Sequence, residues 1–528
     1  MEKTSVVIVL HTHMPYVLNQ GDWPHGTTWL NEAVLESYVP LLNVLNSLKE
    51  LGIQSKVTIS TSPILNEQLL HPAFPSIVQS YVRKQINQAE RDIAKFSGIH
   101  EALCNIPIGN FWKSWYSDRY TDISSQYSWD LTGALRRAQE EGLAELMSTS
   151  LTHAYLPLLS KKESIDMQIA SANVHHRNLF GETMCMWLPE CGYDSSTHIV
   201  NSLLENHVRG IVLDQSSMLK AMERSCELIE IPKHLRPLRM VRANCNSSSD
   251  SIAVLIRHSD LCSHIWDESS GFPAQPVYLD FHKREYDSSL RYWKVTDRHS
   301  QNHKLPYERH MAIQQAEIDA EKYRLILERY AKEYRDVTNE PGVICLAFDT
   351  ELFGHWWFEG PVFLQEFIRQ ISSSDLLKLE TLSSAMQQEN SNPIISLDSG
   401  SWGKNGTDET WNNIETKEMW AKIYEAEEDM DTMLRDASFG IDKSRILNQA
   451  LRELMLLQSS DWTWLVSMHK SADYAIERFN RHHERFRQLL EMVSAMGDRE
   501  QCTESEYQLL ASIEQADDIL RDISIQAW

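Results

Sequence analysis

Short runs of β-branched and aliphatic residues alternate, along the first two thirds of the chain, with longer segments whose apolar positions recur at helical spacing. Ser5–Leu10 is one such run. Its unbroken apolar character predicts a strand buried on both faces. Lys56–Ser60 is a second, and Leu30–Leu48 between them is helical in pattern. Further strands are expected at Ala144–Thr149, Cys185–Leu188, Gly210–Asp214, Ile252–Arg257 and Val343–Phe348. Repeated strand–helix–strand order predicts parallel βα units. Each run ends in, or is followed by, polar residues, as in a parallel barrel whose functional groups sit where strands end.

Two stretches interrupt this rhythm. About 67–140 is polar and helical in pattern, which predicts a helical insertion. About 215–285 contains the turn-like tract Asn246–Ser251 and predicts a loop-rich insertion. Residues 398–411, rich in Gly, Ser, Asn and Asp, are expected to form a link. Beyond it, helices are expected at about 416–436, 444–458, 471–494 and 504–522. The fourth opens on Thr503 and Glu506, spaced as a capping box. The expected organisation is a barrel domain over 1–395 and a helical domain over 396–528.

Composition narrows the function. The chain of 528 residues carries 50 Lys+Arg against 74 Asp+Glu, a formal net charge of −24. Such a surface disfavours nucleic acid and anionic membrane as partners. No stretch is apolar for long enough to span a bilayer. The run Val6–Leu10 is too short for a signal-peptide core and has no small-residue cleavage site after it. Eight scattered Cys with no CxxC pair argue for a reduced, cytoplasmic protein without a structural zinc site. Sixteen Trp would suit clefts where apolar sugar faces stack on indole.

Four strand-end segments carry the candidate chemistry. His11 and His13 follow the first strand and share a face, because residues two apart in a strand do. That spacing fits a metal pair, a polar cleft, or one satisfied core His beside an exposed one. His153 follows the third strand, where a structural role is equally open. Glu190 leaves an apolar strand within Trp187-Leu188-Pro189-Glu190-Cys191-Gly192-Tyr193. Burial there would shift and orient its carboxyl, whether for structure or for chemistry. Asp349, Glu351 and His355 stand among aromatics in Phe348–Glu359. Two carboxylates on separate strand ends suit glycosidic-bond cleavage, one as nucleophile and one as acid/base. That chemistry requires neither metal nor organic cofactor, and none is expected.

Taken together, these segments resemble the signature regions of glycoside hydrolase family 57, most closely its 1,4-α-glucan branching enzymes and the related enzymes called α-amylases. Ser401-Trp402-Gly403 with Trp411, Thr152–Leu159, and Gln458 to Trp462 are similar to the same subgroup. The resemblance implies an α/β fold, an incomplete (β/α)7 barrel with insertions, followed by a C-terminal α-helical bundle domain. It implies Glu190 as nucleophile and Asp349 as acid/base. His11, His13 and His153 would line the donor-sugar site, and His355 would support Asp349 or touch substrate. Trp29, Trp266, Trp402 and Trp411 would stack on glucan, unless they pack in the core. Asp461 and Trp462 would close the cleft, and Arg257 is counted with the substrate-binding residues.

The chain also departs from that subgroup. No His follows Asp214-Gln215-Ser216, and no Tyr lies between Gln215 and Val277, where a loop Tyr linked to transfer is expected. An Arg–Asp pair is replaced by Arg257-His258, and Tyr286–Tyr323 is short. The expected activity is α-glucan branching on a polymer such as amylose or glycogen. A hydrolase of α-amylase type, a 4-α-glucanotransferase and a non-catalytic glucan-binding protein are the alternatives.

Overall fold

The computed structural model describes every residue except 1, 23–24, 196–197, 245–250, 268–269, 286, 298–302, 388–391 and 436–438. Most of the tract Asn246–Ser251, and Tyr286, therefore lie outside the described residues. Seven parallel strands form a barrel: β1 (Thr4–Thr12), β2 (Val57–Thr61), β3 (Ala144–Thr149), β4 (Cys185–Trp187), β5 (Gly210–Asp214), β7 (Ser251–Arg257) and β8 (Val343–Asp349), with β6 (Val241–Asn244) preceding β7 in the chain. Their order is β7-β5-β4-β3-β2-β1-β8. All nine residues of β1 are buried, which is why it reads as one apolar run.

The barrel closes through a single residue pair, Arg257 on β7 with Cys345 on β8. β6 runs antiparallel to β7, with Val241 opposite Val254. β9 (Leu377–Leu379) adds to β1, and β10 (Ile394–Ile395) adds to β6. The seven barrel strands are thus the seven expected ones. The region about 215–285 is not one insertion, because β7 within it is integral to the barrel. It holds the helix Gln215–Arg224 before that strand and the helix Ser259–Trp266 after it.

Residues 63–140 supply four helices, Pro63–Leu70, Phe74–Ser97, Ile106–Thr121 and Leu131–Glu140, as the polar periodic pattern predicts. The C-terminal region packs Lys417–Leu434, Ile441–Leu457, Ser460–Ser467, Ala472–Met496 and Glu504–Ala516 together. The capping box at Thr503 and Glu506 is formed. The last helix stops at Ala516 rather than about 522. There the chain turns Asp517 into a buried cluster, with its carboxyl against the Arg485 guanidinium and within 3.7 Å of His482. Gln20, after β1, donates to the same carboxyl at 3.2 Å, so this cluster ties the helical region to the barrel. No helix among the described residues is long and apolar enough to cross a membrane.

Candidate active site

Parallel pairing brings the chemistry-bearing strand ends to one mouth of the barrel. His11 on β1 is in register with Ser60 on β2 and with Asp349 on β8. Thr149 on β3 is in register with Trp187 on β4, three residues before Glu190. Beyond β4 the chain turns sharply, and Glu190 and Cys191 adopt left-handed backbone with φ of 63° and 51°. For residues with side chains that costs about 1–3 kcal/mol each. The turn is held by Cys191 N–H donating to Leu188 O and Gly192 N–H to Pro189 O, both at 2.9 Å. A Cβ on Gly192 would lie 2.6 Å from the Tyr155 ring, so only glycine fits.

This turn presents the Glu190 carboxyl to two donors. Trp402 Nε1–H donates to Oε2 at 2.7 Å, and Ser460 Oγ–H to Oε1 at 3.1 Å. Burial pushes its pKa up to about 8. The Trp402 bond pulls against that shift, while the Asp349 and Asp461 charges add to it. Asp349, at the end of β8, is likewise pushed up to about 8, by burial first and the Glu351 carboxylate second, against the Arg257 guanidinium. Its carboxyl receives no hydrogen bond among the described residues. The two carboxyls are thus near enough for the Asp349 charge to be felt at Glu190, yet stand in opposite settings, one held as an acceptor and the other not.

Behind Glu190 runs a chain of hydrogen bonds whose donors can be assigned in turn. Ser460 gives its proton to Glu190, so it accepts from His153 Nδ1–H at 2.9 Å. His153 Nε2 then accepts from His11 Nε2–H at 2.8 Å, and His11 Nδ1 accepts from Ser60 Oγ–H at 3.1 Å. Both rings stay neutral: burial lowers each pKa, helped by His153 and His13 for His11, and by His13 against the Asp461 charge for His153. His13 stacks on His153 with centroids 3.9 Å apart and donates from Nε2 to Asp461 at 2.9 Å. Burial opposes the Asp461 charge, but His13 beside it, helped by His153 and Ser459, holds its pKa at about 2. His13, His153 and Asp461 offer ligand atoms within 4.8 Å of one another, the size of a metal site. Those atoms are already paired in the contacts just described.

The remaining expected residues divide. Trp402 sits at the site with its indole N–H spent on Glu190 and its ring edge-on to Trp187 at 5.2 Å. Trp29 is half-buried beside His25, where the loop after β1 meets the C-terminal helices. Trp266 is 48% exposed and meets Trp356 edge-to-face at 5.6 Å. Trp411 is not the exposed stacking residue its Gly-rich setting predicts: it is buried against Tyr155 at 4.7 Å. Trp462 is also buried, with its N–H on Leu456 O, so it anchors a helix rather than closing the cleft.

Arg257 is buried and donates to Asp214 Oδ2 at 2.7 Å and to Ala347 O at 2.8 Å. Its guanidinium lies 5.4 Å from the Trp402 ring. It is a support beneath Trp402, not a cleft-lining group, and it finds in Asp214, its in-register partner on the neighbouring strand β5, the carboxylate that His258 does not provide. His355 pairs with Glu36 Oε2 at 2.9 Å rather than with Asp349, and Arg291 shares that carboxylate at 2.9 Å. Ser460 is a site residue that the sequence does not single out, since a lone Ser carries no signal; Glu351 stands in the Phe348–Glu359 segment but without a role assigned from sequence.

The strand-end carboxyls, the His relay and the barrel topology match a known family. Residues 7–398 fit the model of glycosyl hydrolase family 57. The chain belongs to glycosyl hydrolase family 57. Residues 422–528 fit the model described as 1,4-α-glucan branching enzyme, C-terminal. A GH57-type branching enzyme of Pyrococcus horikoshii superposes with a TM-score of 0.90 at 30% identity, over 100% of this chain and 97% of that one. A 1,4-α-glucan branching enzyme of Thermococcus kodakarensis is 29% identical over 99% of this chain and 78% of its own length. The α-amylase AmyC of Thermotoga maritima superposes at a TM-score of 0.84 and 25% identity, over 100% and 99% of the two chains.

Proposed function

We propose that this family 57 chain is a 1,4-α-glucan branching enzyme that works by double displacement at Glu190 and Asp349. The observation that carries the chemistry is the contrast between the two buried carboxyls. Hydrogen bonds to a carboxylate favour its charged form. Of a facing pair sharing one proton, Glu190, with two donors, is the one to ionise, and Asp349, with none, keeps the proton. Glu190 attacks the anomeric carbon of an α-1,4 bond while Asp349 protonates the leaving oxygen. Asp349, now a carboxylate, takes the proton from a glucosyl 6-hydroxyl, which displaces Glu190 and forms the α-1,6 branch. Two inversions give net retention, for which carboxyls about 5–5.5 Å apart are expected.

The other groups serve charge and placement. Asp461 stays ionised and sets a negative charge beside the developing oxocarbenium ion. His11 and His153 keep the Ser460 donor aligned on Glu190 without adding positive charge. Trp29, Trp402 and Trp266 supply aromatic faces around the glucan. The barrel domain 1–395 cuts, and the helical domain 396–528 brings Trp402, Ser460 and Asp461 to the cleft. The seven described cysteines are all free, which suits a reducing cytoplasm.

Branching rather than hydrolysis rests on the C-terminal match over 422–528 and on the Pyrococcus and Thermococcus relatives. Hydrolysis is favoured by one feature, the lack of any Tyr between Gln215 and Val277, together with the likeness to the Thermotoga α-amylase. The products from amylose decide between them. Branching predicts fading iodine colour, few new reducing ends, and new chains released by an α-1,6-specific debranching enzyme. Reducing ends rising in step with colour loss, with nothing to debranch, would make water the acceptor.

A further inference from the structure

Two residues beyond Asp349, the Glu351 carboxyl is buried and committed to the wall of the site. The Tyr38 hydroxyl donates to its Oε1. It also accepts backbone N–H groups, its own and that of His13. Tyr38 is the last residue of a π-helical turn, Val34–Tyr38, and its hydroxyl lies 3.4 Å from His13 O. Single π-turns cost regular hydrogen bonds and recur at functional sites.

The loop carrying Glu351 is seated on this turn along its length. His355 N–H donates to Ser37 Oγ at 3.1 Å, and Ser37 Oγ reaches Glu351 O at 3.4 Å. Gly354, at φ +124°, passes so close that a Cβ would lie 1.7 Å from Glu36 O. Thr350 bonds Thr12 at 2.7 Å. Glu351 is therefore where the β8 loop, the loop after β1 and the π-turn meet.

The electrostatic setting follows from this packing. Asp349 is faced by Glu351 on its own loop, Arg257 at the end of β7, Asp461 on the helix Ser460–Ser467, and Glu190 beyond β4. Glu351 is faced by Asp349, Tyr38 and Asp461. Burial pushes the Glu351 pKa up to about 7, and the Tyr38 hydroxyl and two N–H groups pull against that rise; once ionised, Glu351 is a like charge that resists ionisation of Asp349.

We propose that Glu351, held by Tyr38, is a positioning residue that keeps the proton on Asp349 for delivery to the leaving oxygen and seats its loop against that of His13. This rests on Asp349 being the acid/base. It holds whether the acceptor is a sugar or water.

The test is the pH profile of kcat/KM on amylose for the full chain carrying Glu351→Gln, which keeps the shape and the oxygen that accepts from Tyr38. The alkaline limb should move to lower pH by about one unit, the size expected for one lost like charge. Activity at pH 9 should fall about tenfold while that at pH 6 stays within threefold. Tyr38→Phe removes the donor that favours the Glu351 carboxylate, so its limb should move the same way by less. A uniform loss at every pH with both limbs in place, or a limb moving to higher pH, would overturn the proposal.

Asp349→Asn on maltosyl fluoride separates this from failure of its footing, because fluoride leaves without a proton. Fluoride release should persist while amylose turnover is lost. If both are lost together, Asp349 is not the acid and the proposal falls with that reading. If release persists and the Glu351→Gln limb is unmoved, only the Glu351 proposal falls.

Discussion

Replacing Trp402 by Phe removes one hydrogen bond and little else. The Phe ring keeps the edge contact with Trp187 and the face toward Arg257, and the backbone bond from residue 402 N–H to Glu190 O at 2.9 Å is untouched. What goes is the indole N–H on Glu190 Oε2 at 2.7 Å, a charge-assisted bond in a buried site. Hydrogen bonds to charged groups contribute about 1.5–3 kcal/mol net. At about 1.4 kcal/mol per pKa unit, the Glu190 pKa should rise by about one to two units. The nucleophile must be ionised in the free enzyme, so the acidic limb of kcat/KM should move to higher pH by that amount. On the acidic side, rates should fall by about ten- to a hundredfold. Initial rates on amylose between pH 5 and 9 at constant ionic strength read this directly. An acidic limb that stays in place, with kcat/KM within threefold of the parent, would refute the reading that Trp402 sets the nucleophile's charge.

Two further outcomes follow from the same contacts. Asp461→Asn removes a negative charge that raises the pKa of both Glu190 and Asp349, so both limbs of the pH profile should move to lower pH, with lower kcat from lost transition-state charge. A profile that shifts to higher pH would contradict the assignment. Arg257→Ala strands the buried Asp214 without its cation and removes the support under Trp402. Breaking a buried pair by removing one partner costs about 3–5 kcal/mol, so a lower Tm should be seen by thermal denaturation.

Much of the architecture was legible because each barrel strand is buried on both sides and so reads as an apolar run bounded by polar residues. Strands β6, β9 and β10 were not, because runs of four, three and two residues are set by pairing with distant backbone rather than by pattern. β7 was read as a strand, yet the region around it looked like a single insertion, since closure through Arg257 and Cys345 is a contact between residues far apart in the chain. Glu190 and Asp349 stood out because a carboxylate after an apolar strand and among aromatics is costly unless it is used. Trp411 misled for the converse reason: its polar, Gly-rich neighbours are local, while its burial comes from Tyr155, brought in from the β3 side of the barrel. The resemblance implied that His355 supports Asp349 or touches substrate, and its ring is paired with Glu36. The π-turn that delivers Glu36 to it leaves no pattern in the sequence.

In double displacement Glu190 forms a covalent bond to sugar, and trapping that bond is the decisive measurement. A 5-fluoroglycosyl fluoride of the maltose type slows release of the intermediate, and peptide mass mapping of the labelled chain locates it. One sugar should be found on Glu190, present in the parent chain and absent in Glu190→Gln. A label on any other carboxylate, or turnover with inverted anomeric configuration and no label, would contradict it.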